Sequence, residues 1–149
     1  MKLHVAFLPL LIWATASSAH ADESAKELVK LQGAWSVATL QEGGKDQVDD
    51  NTKKLSIVIK EDIFSFKFAG QPKTLDMKLN LDPSSKPKGA DLASTNRQGQ
   101  VALGIYELRE DELKICWSRN GKERPNDFKT NASDDRILMI LKRLKTKEK

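Results

Sequence analysis

Between Leu55 and Phe68 the chain reads LSIVIKEDIFSFKF, two apolar-rich runs around a charged pair. With Glu61-Asp62 as the tip of a hairpin, Ile59 faces Phe64, Ile57 faces Phe66 and Leu55 faces Phe68, and all six share one side of the ribbon. The other side takes Ser56, Lys60, Ser65 and Lys67, with Val58 and Ile63. A slip of one residue would exchange the two sides, so the register is strongly specified. The run TLDMKLNL that follows alternates strictly, Leu75, Met77, Leu79 and Leu81 against Thr74, Asp76, Lys78 and Asn80. GIYELREDELKICW repeats the hairpin pattern around Glu110-Asp111. Leu108 then meets Leu113, Tyr106 meets Ile115, and Gly104 meets Trp117 and leaves room for its indole. On the opposite face Glu107 meets Lys114 and Ile105 meets Cys116.

The remaining segments fit around these hairpins. Residues 22–32, DESAKELVKLQ, have the helical period, with Ala25, Leu28, Val29 and Leu31 on one side and Gly33 as the stop. After Gly33 the period changes to 2, with Trp35, Val37 and Thr39 on one face up to the EGGKD turn. ADLAST is a weak strand and NRQGQ a turn. RILMILKRL is a last strand, apolar on both faces, whose outer side needs a cover that the N-terminal helix can supply. Asn120-Gly121 is a strong two-residue hairpin tip that sets Trp117 opposite Arg124, a cation–π geometry, although Pro125 keeps the return strand short or at an edge. The count is eight strands in neighbour-to-neighbour order after one short helix. This predicts an all-β protein, an eight-stranded antiparallel meander barrel with a short N-terminal helix; a two-sheet sandwich is the alternative.

The first 21 residues stand outside this pattern. Lys2 and His4 precede the apolar run VAFLPLLIWATA, and Ala19-His20-Ala21 has the small-x-small form of a signal-peptidase site. The run is too short for a membrane span, and no Cys follows it to carry a lipid anchor. Residues 1–21 are therefore expected to be a signal peptide and 22–149 a single exported domain, periplasmic or extracellular, with no stable membrane anchor. The whole chain carries a formal charge of +4, or +3 without the single lysine of the leader. Its charges are interspersed and only the tail LKRLKTKEK is a basic cluster, so nucleic acid is not an expected partner.

Composition narrows the chemistry. His4 and His20 both lie in the leader, so residues 22–149 contain no histidine. That removes Ser-His and Cys-His nucleophiles and histidine-bound metals. Cys116 is the only cysteine and has no base beside it, so it reads as a small buried hydrophobe. Glu107 and Glu112 have no spacing that singles them out as a glycosidase pair, and REDE is most simply a solvated turn. Asn131-Ala132-Ser133 is a glycosylation sequon, relevant only in a eukaryotic secretory host. No catalytic residue, metal site or cofactor is expected.

The segments LQGAWSV, GIYELREDELKICW and ERPNDF resemble a bacterial lipocalin-like family of conserved domains of unknown function, abundant in planctomycetes. The likeness runs from about Leu28 to Lys142. Where members of that family often have Asp-Gly at the second hairpin tip, this chain has Glu110-Asp111. The resemblance implies a lipocalin-like (calycin) barrel, with a tryptophan at the closed end and an arginine packed across it. Trp35 is that tryptophan, and Arg124 and Arg143 are the two candidates for the arginine.

These readings lead to an exported, non-enzymatic binding protein for a small apolar or anionic ligand. Trp35, Phe64, Phe66, Phe68, Met77, Tyr106 and Trp117 are expected inside the barrel. The expected ligand site is a mouth formed by Trp35, Tyr106, Trp117 and Arg124, where an apolar acid pairs with the guanidinium. Arg124 is alternatively a structural closure of one barrel end. The other functional reading is a protein-binding module such as a secreted protease inhibitor, which a filled barrel favours. The leader makes a direct prediction: the intact mass of protein from the producing cell corresponds to a chain that begins at Asp22. A mass that retains Met1 contradicts export by this route.

Overall fold

The computed structural model describes residues 17–145; the apolar run of the leader lies outside them. Helix α1 (Ser17–Leu31) is followed by β1 (Gly33–Glu42), a two-residue β2 (Lys45–Asp46), β3 (Leu55–Lys60) and β4 (Ile63–Phe68). Then come β5 (Thr74–Asp82), β6 (Lys88–Ser94), β7 (Val101–Arg109), β8 (Glu112–Ser118) and β9 (Arg136–Arg143). Strands β3 to β9 pair in sequence order, β1 pairs with both β3 and β9, and the sheet closes into an eight-stranded antiparallel barrel with β2 as a small flap on β1. Closure leaves no long unpaired edge.

Both hairpin registers are those that the alternation dictates. Leu55, Ile57 and Ile59 pair with Phe68, Phe66 and Phe64. Gly104, Tyr106 and Leu108 pair with Trp117, Ile115 and Leu113. A Cβ at Gly104 would lie 2.5 Å from the Ala90 carbonyl oxygen and 3.0 Å from Trp117 Cβ, so only glycine fits there. The tips adopt a positive φ at Glu61 (54°) and Glu110 (49°), which costs a non-glycine residue on the order of 1 kcal/mol. In β1 a bulge between Val37 and Thr39 shifts the alternation, so that Leu40 rather than Thr39 joins the core.

The helix seals one end of the barrel through its C-terminal carbonyls. Trp35 Nε1–H donates to the Leu31 carbonyl (3.0 Å), and Arg143 donates to those of Gln32 (2.7 Å) and Lys30 (2.8 Å). Gln32 Nε2–H reaches the Leu28 carbonyl, and the Gln32 backbone N–H reaches that of Val29. Carbonyls that a helix end leaves without intrahelical partners are thus each satisfied, with a cation at the negative end of the dipole. The Arg143 guanidinium lies 4.2 Å from the centre of the Trp35 ring, and Asp111 accepts its Nε–H. Of the two arginines considered for this place, Arg143 occupies it and Arg124 does not. The Gln32 side chain also clamps the β3–β4 tip, accepting the Glu61 N–H and donating to the Glu61 carbonyl.

Two expectations about covers are corrected. On α1 the buried face is Ser24, Glu27, Leu28 and Leu31, spaced as one side of a helix, whereas Val29 points to solvent at 72% exposure and Ala25 is exposed too. The outer face of β7–β9, where Ile105, Cys116 and Leu138 are buried, is covered not by the helix but by Phe128 of the segment between β8 and β9. That segment is no hairpin. Asp135 accepts the Ser118 hydroxyl and the Asn120 N–H, and β8 takes β9 as its neighbour instead of a short return strand. Within the same segment the Asn131 side chain accepts from the N–H and hydroxyl of Ser133, closing the sequon into a local turn.

Among the described residues Glu27 is the one charged side chain that is buried, at 8% exposure. Its carboxylate accepts from Lys30 (2.6 Å), Lys88 (3.0 Å) and the Tyr106 hydroxyl (2.9 Å), and Ser24 adds a bond to the Leu81 carbonyl. Burial pushes the carboxyl up, but the three donors together outweigh it and hold it down at about 2, against 4.5 for an ordinary Glu. The folded protein therefore binds this proton more weakly than the unfolded chain. Its contribution to stability is complete above about pH 4.5 and is lost as the pH falls towards 2. With both lysines partly exposed and screened, the contribution is on the order of 2 kcal/mol. Glu27→Gln is expected to lower the unfolding free energy at pH 7 by about that amount and to flatten its fall between pH 4.5 and 2. Urea titrations at a series of pH values measure both, and an unchanged slope in the variant contradicts this role.

Candidate functional site: the open end of the barrel

The barrel is filled at the helix end and hollow at the other. Trp35, Phe64, Ile57, Tyr106, Ile115 and Leu141 are all fully buried in one core against Leu31 of the helix. Beyond them β6 and β7 carry Ala90, Leu92 and Gly104, which are themselves buried, and then only Ser94 and Ala102 towards the mouth. Such small side chains cannot fill an eight-stranded interior, so a cup remains. It has a volume of about 600 Å³, within the range of small-ligand pockets.

Its walls are Phe66, Leu75, Met77, Ala102, Trp117 and Ile137. The Phe66 ring meets Trp117 edge-on at 6.5 Å and Phe64 at 5.2 Å, which joins the aromatic floor of the cup to the core. Leu75 is 52% exposed at the lip, and Phe68, expected inside, ends β4 at the rim with 45% exposure. The rim is polar and comes from two loops. The β6–β7 turn contributes Ser94, Asn96, Arg97 and Gln100, its shape held by the Ser94 hydroxyl, which accepts the N–H groups of Asn96 and Arg97. Arg119, just past β8, completes it, with Glu42 3.7 Å away as a loose partner.

The residues expected to share one mouth are separated. Trp117 lines the cup, with Phe66 and Met77, which were also expected inside. Trp35 and Tyr106 lie in the closed end, bonded to Leu31 and Glu27. Trp117 pairs with Ile137 and Trp35 with Arg143, so about 20 Å of β9 lies between the two indoles at roughly 3.3 Å per residue. Arg124 lies on the outer wall, clamped by both carboxylate oxygens of Asp91 and by the Gly104 carbonyl (2.6 Å). There it ties the β8–β9 segment to β6 and β7 and does not stack on Trp117. Arg97 and Arg119 were not singled out from the sequence. Arg97 sits in a polar turn, and the only hint for Arg119 is its place two residues after Trp117.

Candidate catalytic groups are held inert. Cys116 is fully buried beneath Phe128, and burial pushes its thiol up to about 11. Glu107 is paired with Arg109 (2.6 Å) and Glu112 with Lys142. Both acids alternate with inward-facing neighbours and so point away from the cup. Among the described residues no cluster of His, Cys, Asp and Glu is arranged to hold a metal ion.

No family model, curated protein or solved structure gives a significant match to this chain.

The surroundings of Cys116 predict its reactivity. A thiol reagent at pH 7 is expected to modify it only slowly in the native state and at once in denaturant. Phe128→Ala, which strips its cover, is expected to speed native modification about tenfold or more. Fast labelling of the native wild type contradicts the burial described here.

Proposed function

We propose that this chain is an exported, non-enzymatic binding protein, a lipocalin-like barrel of the family its motifs resemble, which holds a small apolar ligand in the cup without transforming it. Its place of action is the periplasm or the extracellular space, after removal of residues 1–21. One observation carries the reading: a barrel densely packed at its capped end opens at the other into an apolar cup of about 600 Å³ with a polar rim. The lack of histidine in residues 22–149 and the buried, protonated Cys116 support binding over catalysis.

The alternative, a protein-binding module such as a protease inhibitor, draws less support. A chain processed after Ala21 has only Asp22 and Glu23 ahead of Ser24, which is bonded to the Leu81 carbonyl. No free N-terminal segment is left to enter a cleft, and the mouth is not filled.

Titration with a neutral apolar dye that fluoresces in dry surroundings, N-phenyl-1-naphthylamine, tests the reading. Saturable binding at one site per chain is expected. Ala102→Phe, which places a ring in the cup, is expected to abolish it while cooperative thermal unfolding is retained. Equal binding by wild type and variant, or no saturable binding of the dye, overturns the proposal.

A further inference from the structure

We infer that the cup selects amphiphiles with a single anionic head, such as a carboxylate, sulfate or phosphate monoester, held at the rim between Arg97 and Arg119 with the apolar body pointing down towards Phe66 and Trp117. The inference rests on the reading of the cup as a ligand site and deepens it by naming the ligand class and its orientation. Three features carry it. The residues lining the cup include two guanidinium groups and no carboxylate, so the charged groups that face a bound ligand are cationic. Both arginines stand at the rim, and everything below them is apolar, which fixes the polar end of a ligand outward. Neither guanidinium has its hydrogen-bonding fork filled. Among the described residues Arg97 has no carboxylate within ion-pair distance, and Arg119 has only Glu42, 3.7 Å from its Nη2. This contrasts with Arg124, whose fork is filled by Asp91, and with Arg143, whose donors are spent on the helix end.

The chemistry of the head follows from these partners. A guanidinium matches an oxyanion with two parallel hydrogen bonds, and the Asn96 and Gln100 amides beside it supply further donors. A quaternary ammonium head meets like charge at the same place, and an alcohol forfeits the charge-assisted bonds. Glu42 competes for Arg119 in the empty protein, so an anionic head must displace it, and binding weakens with salt because the rim is exposed.

The test uses the full chain, so that residues 1–21 are the same in every sample, and calorimetric titration below micelle-forming concentrations. The probes are decanoate, decanol and decyltrimethylammonium. Decanoate is expected to bind about tenfold or more tightly than decanol, and decyltrimethylammonium not to saturate. Arg97→Gln and Arg119→Gln are each expected to weaken decanoate several-fold and leave decanol unchanged. Ala102→Phe is expected to remove both. Each variant is checked for wild-type thermal unfolding. Equal affinity for decanoate and decanol, with both arginine variants indifferent, overturns the anionic class while the ligand site stands. Failure of all three probes and of the neutral dye overturns the ligand site itself. Decanoate binding that survives Ala102→Phe places the site elsewhere and overturns the inference.

Discussion

The architecture turns on the end of one helix. Its last carbonyls would be left without partners as α1 gives way to β1, and the barrel supplies the donors from two strands that meet there, Trp35 on β1 and Arg143 on β9. The same two side chains stack on each other at 4.2 Å, an attraction of roughly 0.5–2 kcal/mol. A single contact therefore sits at the seam where β1 and β9 close the sheet, caps the helix and fills the bottom of the barrel. Glu27 fixes the helix from its other side, through Lys88 and Tyr106 of the far wall. An unpaired carboxylate at that depth would cost several kcal/mol, and the three donors turn it into a clamp.

With one end closed in this way, the barrel has a direction. Large side chains, Trp35, Phe64, Tyr106 and the Ile and Leu around them, crowd towards the helix. Small ones on the inner face of β6 and β7 lie towards the mouth. An eight-stranded interior is just wide enough to be filled, so the positions of alanine, serine and glycine decide where it is not. The hollow end then inherits what its loops carry: two arginines, two amides and a serine hydroxyl above an aromatic floor. Dense packing and open space are in this sense divided between the two ends of one sheet.

Most of the strands were legible in the sequence because period-2 alternation is a local signal with a strong register penalty. Leu55–Phe68 and Gly104–Trp117 could each pair in only one way that kept an apolar face, and they do. What resisted reading was non-local. Asn120-Gly121 carries a hairpin signal, yet Asp135, at the far end of the same segment, accepts the Asn120 N–H, and β9 takes the place of a return strand. The hairpin register set Arg124 opposite Trp117, but Asp91, on a strand two neighbours away, is its partner in space. Val29 is apolar and was assigned to the core, whereas the charged Glu27 is what the helix buries. The expected site failed as a cluster for the same reason. Trp35 and Trp117 share the inner face but not the end, and alternation reports the face only.

The division of the barrel into a packed end and a hollow end is the claim on which the rest depends, and a crystal structure of the protein under xenon pressure tests it most directly, since xenon enters apolar space that is empty of side chains. The account predicts xenon against Phe66, Ala102 and Trp117 and none between Trp35, Phe64 and Tyr106. A mouth in which Leu75, Met77 and Trp117 have collapsed to exclude the gas, or xenon beneath the helix, would contradict it.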